Sequence, residues 1–401
     1  MRILQICNKA PYPPNDGSSI AICNMASGLV SNLAEVHLLT INTKKHFKDD
    51  ALVPEKFKAE THYQSVFKNT DTTVSGALFN LFSRDSYFVS RFYFPEFEIE
   101  LIKKLKAHPF DIVQLEGLFM GKYIPAIRKY SHAKIVLRAH NVEFLIWERH
   151  LRHETNLLKK WYINLQNKRL KRFELDVLTK TNAIVTITEA DKEYFHKIYP
   201  KLNAVNCPTG VNLSEYNQSI HSKKENKTIF YFGSMDWMPN QEAVDWFLKN
   251  CWSKIQQLHP ECRFIIAGRH MPERFRQLNT KHVKVIENVT DKTAFYSTYD
   301  IMLVPLLSGS GLRIKIIEGL SYGKAIISTS VGAEGIPAIP GRDLLIADGT
   351  DDFVEAVDLL LKDADKKSEL EKNAKNFAAE QLDNKVITSK LVEFYKTLIH
   401  S

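Results

Sequence analysis

The stretch Asp300–Gly335, DIMLVPLLSGSGLRIKIIEGLSYGKAIISTSVGAEG, decides the reading of this chain. Ile301–Val304 is an apolar run that stops at Pro305. Ser308-Gly309-Ser310-Gly311 follows, and Leu312, Ile316, Ile317 and Leu320 then recur at helical spacing. Gly323 comes after Tyr322 where a helix end favours a left-handed residue, and Ala325–Ser328 is a second apolar run. Strand, loop, helix and strand in that order make a parallel β-α-β unit. Its loop leaves the carboxyl end of a parallel strand, where α/β sheets bind ligands.

Arg313 and Lys315 fall in the first turn of that helix, where the helix dipole is positive and each cation costs roughly 0.3–1 kcal/mol. A bound anion reverses the sign. Loop N–H groups, the helix terminus and two cations then form a diphosphate cradle. The other reading is a solvated face, with Lys315 paired to Glu318 at i,i+3 and Arg313 pointing into water.

Working outward, 401 residues are too many for one core and predict two domains of roughly 200 residues. A formal charge of +8 and a pI near 9.0 favour an anionic partner, without choosing among nucleotide phosphates, anionic lipid and nucleic acid. The five cysteines show no CxxC spacing, so neither a zinc site nor a disulfide framework is expected, and a reducing cytosol fits. Met1-Arg2 runs directly into the strand-like ILQIC, and no apolar stretch nears the ~18 residues of a membrane span. The expectation is a cytoplasmic protein with at most peripheral contact on the inner face of the membrane.

Along the chain, Ile3–Cys7 reads as a buried strand, Asn8–Ser19 as a loop, 20–33 as a helix and Val36–Thr40 as the next strand. The first turn, NKAPYPPNDGSS, lacks G-x-G-x-x-G, which disfavours an NAD enzyme. Gly17 either lets the backbone approach a ligand or belongs to a plain Asp16-Gly17 turn. The aromatic stretch 79–97 is read as helices packed on the domain or as an apolar acceptor groove or membrane-facing lip with Arg84 and Arg91. Ile112–Leu115 and Lys134–Leu137 are strands, and His140 lies just past the second one, as a substrate-binding or catalytic group or a loop residue. Residues 147–178 read as a long amphipathic helical region, followed by strand Ala183–Ile187. The polar stretch 217–227 is placed as linker. Six further strands follow at Thr228–Phe232, Arg263–Ala267, Val283–Ile286, Ile301–Val304, Ala325–Ser328 and Leu344–Ile346, and the tail reads as helices 352–361, 366–380 and 384–400. Two consecutive doubly wound α/β domains account for this count.

PTGVNLSEY, IFYFGSMDWMPN, RFIIAGR, VIENVTD and GSGLRIKIIEGLSYGKAIISTSVGAEG, in that order, resemble the motif series of the family 4 retaining glycosyltransferases of the GT-B fold. The resemblance spans nearly the whole chain and is strongest over 205–350. It implies two Rossmann-like domains facing across a cleft: 1–210 for the acceptor, 211–380 for a nucleotide-diphosphate sugar, and a last helix, 381–401, crossing back. By resemblance Glu318 takes the ribose-contacting glutamate's place, a role suited to a carboxylate accepting from two vicinal hydroxyls. Gly233, Ser234, Arg269, Ser310 and Gly311 join it around the donor. The chain departs from the family pattern at Ser310, where a glutamate normally touches the donor sugar, and at Ser234 and Asn240, where many members carry an arginine and a lysine. Arg313 and Lys315 stand where common members are uncharged, so the cationic function is expected to have moved into this helix.

Charge on the leaving phosphate makes cations and N–H dipoles the largest expected catalytic contribution. No D-x-D pair lies near a strand end, so no metal and no cofactor are expected; the nucleotide sugar is the donor substrate. The reading is sugar transfer with retention to a glycan or lipid-linked glycan, with His140, Arg313 and Lys315 in the chemistry, an anionic membrane as peripheral partner and no nucleic acid. A nucleotide-sugar epimerase of similar fold and a non-catalytic sugar-binding paralogue are the rivals.

Overall fold

The computed structural model describes all residues except 15–16, 45–46, 70–75, 77–78, 84, 155, 214–215, 217–224, 226, 309–312 and 401, and the side chains of 152 and 153. Contacts divide the chain into one unit of Met1–Gly210 with Asn384–Ser401 and another of Val211–Asp383.

In the first unit β1 (Arg2–Cys7), β2 (Glu35–Thr43), β3 (Gln64–Lys68), β4 (Ile112–Glu116), β5 (Lys134–Ala139), β6 (Ala183–Thr186) and β7 (Ala204–Asn206) form a seven-stranded sheet in the order β3-β2-β1-β4-β5-β6-β7. Every pairing in it is parallel. Helices cover both faces, which is why β1, β4 and β5 are nearly continuous apolar runs rather than alternating ones. The last helix, Asn384–His400, belongs to this unit and buries Ile387, Leu391, Val392, Tyr395 and Leu398 in the same core as the helix Gly17–Ser31. A Cβ on Gly28 would stand 2.6 Å from Thr388, so the two helices touch at a glycine.

In the second unit β8 (Thr228–Phe232), β9 (Arg263–Gly268), β10 (Val283–Glu287), β11 (Ile301–Val304), β12 (Ala325–Ser328) and β13 (Leu345–Ile346) form a parallel sheet in the order β10-β9-β8-β11-β12-β13. All six expected strands are present. In both sheets the order reverses beside the first strand, between β1 and β4 and between β8 and β11, and such switch points open the crevice that α/β sheets use for ligands.

The structure departs from the sequence reading at a helix break and at two edge strands. The span 147–178 is two helices, Glu143–His153 and Leu157–Lys180, because the Asn156 side chain accepts from Lys159 N–H and starts a new helix. The edge strands β3 and β7 went unread. Of the aromatic stretch, Phe92, Phe94 and Phe97 are core, whereas Phe79 and Phe82 are exposed; Arg84 lies outside the described residues. Of the linker stretch, 217–224 and 226 lie outside the described residues as well.

Candidate active site

Gly233 follows β8, Gly268 ends β9, and the two touch. A Cβ on Gly268 would lie 1.7 Å from the Gly233 carbonyl oxygen, so only glycine fits there. Ser234, next along, donates to Asp236 at 2.6 Å, and the main chain of Arg269 accepts from Met235 N–H at 2.8 Å. Arg269 is exposed. Ser310 and Gly311 lie outside the described residues.

The helix after β11 runs Ile314–Ser321, which places Arg313 at its N-cap rather than in its first turn. Arg313 does not point into water: it is 4 % exposed and its guanidinium lies 5.4 Å from the centre of the Trp237 ring. Lys315 does not pair with Glu318. Its Nζ donates to Tyr231 Oη and Asn240 Oδ1, both at 2.7 Å, and sits 2.9 Å from where a Gly233 Cβ would be. Asn240 in turn donates to the Ser234 carbonyl at 2.6 Å. The ammonium of Lys315 thus reaches, from the helix side, the turn that holds Ser234 and Asn240. Burial first, then the Arg313 charge, lower the Lys315 pKa to about 7. The acceptors of the Lys315 ammonium, Tyr231 and Asn240, are both neutral.

Glu318, 7 % exposed, instead receives Lys292 at 2.6 Å. Lys292 was not singled out from sequence. It opens the helix Lys292–Thr298, whose Asp291 side chain accepts from Ala294 N–H. Its separation of 26 residues from Glu318 hides the pair from any local pattern. The structure therefore gathers Gly233, Ser234, Arg313, Lys315 and Glu318 around the β8/β11 switch point.

In the first unit, His140 stands past the end of β5 and its Nε2 is 2.8 Å from Glu116 Oε2 at the end of β4. Glu116 is completely buried. It also accepts from Arg138 at 3.0 Å, from Gln5 at 2.9 Å and from Gln114. Burial alone would raise its pKa, but Arg138 and His140 bring it down to about 2, so it stays ionised. Gln114 accepts from Tyr395 of the last helix. Glu116 fixes the His140 ring the way a carboxylate orients a working imidazole. Its position past a strand end points to the histidine, but not to its anchor at the end of the adjacent strand β4. Behind it, Glu174 accepts from the N–H groups of Glu143 and Phe144 at 3.0 and 3.1 Å, and burial raises Glu143 to about 7 and Glu174 to about 8. Gly17 begins its helix with no atom within 4 Å of a built Cβ, and so shows no close approach.

The structure matches HepE of Anabaena in complex with UDP at a TM-score of 0.69, with 13 % identity, covering 99 % of this chain and 100 % of that one. Sucrose-phosphate synthase of Thermosynechococcus elongatus matches at 0.68, with 13 % identity and all of both chains covered. WaaG, a glycosyltransferase involved in lipopolysaccharide biosynthesis, matches at 0.61, with 15 % identity, over 98 % of this chain and 99 % of that one. The fold is that of the GT-B glycosyltransferases. Within this GT-B chain, residues 226–363 match the family model described as glycosyl transferases group 1, a span inside the second unit. A Klebsiella pneumoniae protein described as an uncharacterized 44.6 kDa protein in the cps region is 21 % identical over 97 % of this chain and 98 % of its own length. HepE has also been solved with UDP-glucose, at a TM-score of 0.65, 13 % identity and coverage of 99 % and 100 %.

Proposed function

We propose that the protein is a glycosyltransferase that moves a hexose from a nucleotide-diphosphate sugar to a glycan or lipid-linked glycan, with retention and without a metal. The observation that carries this reading is the placement of Arg313 and Lys315 at the β8/β11 switch point beside Gly233 and Ser234. Lys315, held by neutral oxygens, and Arg313 beside it suit a diphosphate, and they stabilise the leaving phosphate as the bond to the sugar breaks. Glu318 suits the ribose: its carboxylate, held by Lys292, can exchange that partner for two hydroxyls. The group 1 match over 226–363 and the likeness to HepE, solved in complex with UDP and with UDP-glucose, support a nucleotide-sugar donor.

His140, anchored by Glu116, is assigned to orienting substrate hydroxyls in the first unit. With positive charge supplied by side chains, no divalent ion is required. No helix among the described residues is long and apolar enough to cross a membrane, and we assign the protein to the cytoplasm, in peripheral contact with anionic lipid.

The test is incubation with a panel of labelled nucleotide sugars, with and without a cell lipid extract and with EDTA. Transfer that survives EDTA supports the proposal. Donor isomerisation without transfer would make it an epimerase, and saturable binding without turnover a binding paralogue.

A further inference from the structure

At the amino ends of the first sheet, opposite the end that carries Glu116 and His140, lies a cluster that the transfer chemistry does not use. Glu35 opens β2, His37 is two residues further along it, and His62 sits just before β3. One ligating atom from each of these three residues lies within 4.8 Å of the others. His37 Nε2 is 2.9 Å from Glu35 Oε1, and the His37 and His62 rings are stacked with centroids 4.3 Å apart. A third imidazole, His108, has its ring centre 4.7 Å from that of His37. From these positions we infer that Glu35, His37 and His62 form a binding site for a first-row divalent transition metal of the zinc, cobalt or nickel class.

Three features support this. Two imidazoles and one carboxylate are borderline donors that suit such ions and not magnesium or calcium, which take oxygen ligands. His37 is 3 % exposed, so the surrounding core holds this imidazole in place. His62 holds a left-handed backbone, φ 41°, at the end of the helix Glu55–Glu60, where glycine is the cheaper residue. The histidine there faces His37 all the same. Tetrahedral ligation needs donor atoms ~3.3 Å apart, and the two ligands that must close in, Glu35 and His62, are both exposed. Arg2, whose Nε is 2.7 Å from Glu35 Oε1, competes for the carboxylate. Three protein ligands leave the fourth position open to water.

Titration of the full-length, tag-free, chelator-treated protein with zinc chloride in a calorimeter tests the site, with cobalt absorption reporting geometry. One zinc per chain is expected, with magnesium giving no heat. His62→Gly removes a ligand while keeping the backbone conformation easy, so the variant should melt normally in EDTA yet lose affinity at least ~10-fold. Glu35→Gln should weaken binding similarly, and Arg2→Ala should tighten it. Absence of saturable zinc binding overturns the inference. So does zinc binding unchanged in both His62→Gly and Glu35→Gln, which would put the ion on other groups.

Discussion

Lys315 makes the affinity for a nucleoside diphosphate depend on pH in a direction that can be worked out beforehand. In the free protein its pKa is about 7, against 10.5 for an ordinary lysine, because burial and the Arg313 charge disfavour the ammonium. A bound diphosphate favours the ammonium and lifts the value again. At pH 7 about half the free molecules carry the charge, and at pH 9 about one in a hundred, so the binding-competent fraction falls roughly 50-fold, or ~2.3 kcal/mol. The ligand gains no compensating charge in this window, since its last phosphate proton leaves near pH ~6. Calorimetry with a nucleoside diphosphate at pH 7, 8 and 9, in buffers of different ionisation enthalpy, should show weakening of up to tenfold per unit and uptake of nearly one proton at the upper end. Lys315→Met should bind weakly with no such slope. The stability sign is the reverse. The folded pKa lies below the unfolded one, so the penalty for burying the ammonium is full below about pH 7 and fades as pH rises toward 10.5. Wild type should therefore gain stability over that range and Lys315→Met should not. A flat affinity in wild type, or a slope that survives in Lys315→Met, would refute the reasoning.

Further outcomes are expected elsewhere. Arg313→Ala should weaken nucleoside diphosphate binding by ~1.5–3 kcal/mol and leave the nucleoside nearly unchanged; because Arg313 is buried against Trp237, its melting temperature should fall rather than rise. Writing arginine at Ser234 on that background should restore part of the affinity, measured in the same calorimeter. Glu116→Ala strands the buried Arg138 and should cost ~3–5 kcal/mol in urea unfolding. His140→Ala leaves the Glu116–Arg138 pair intact, so it should cost only ~1 kcal/mol of stability while turnover of the folded enzyme drops steeply. Leu157, Leu158 and Trp161 are 80 %, 82 % and 59 % exposed beside Lys159 and Lys160. The protein should co-sediment with anionic vesicles at low salt, at ~1 kcal/mol per engaged basic residue, and Trp161→Ser should reduce it.

How much of this was legible depends on where each signal resides. The six strands of the second unit could be read because both faces of that sheet are covered, leaving runs such as Ile301–Val304 fully apolar. β3, QSVFK, is a half-exposed edge strand and β7 has three residues, so neither presents such a run. The break at Asn156 was within reach, since an asparagine before two leucines is a cap signal. Lys315 shows the limit of local reasoning. Helical spacing offered Glu318 as its partner, but the crossover brings Tyr231 and Asn240, 84 and 75 residues away, to its ammonium, and gives Glu318 to Lys292. The Glu116–His140 contact was hidden for the same reason: it joins the ends of adjacent strands, and only the sheet order makes them neighbours.

The return of Asn384–His400 to the first unit has a consequence for how the chain comes off the ribosome. Synthesis runs from the amino end at ~5–20 residues per second, and domains usually fold in that order. Here the unit begun first is finished last. Ile387, Leu391 and Tyr395 belong to the core beneath the helix Gly17–Ser31, and Tyr395 donates to Gln114, 281 residues upstream. Val211–Asp383 has every strand of its sheet before any of those residues is made. The nascent first unit must therefore wait, with Ile22, Met25 and Leu29 short of their cover, while the second unit is free to fold. A stop codon just before Asn384 should release a chain whose second unit is protease-resistant and whose first is readily digested.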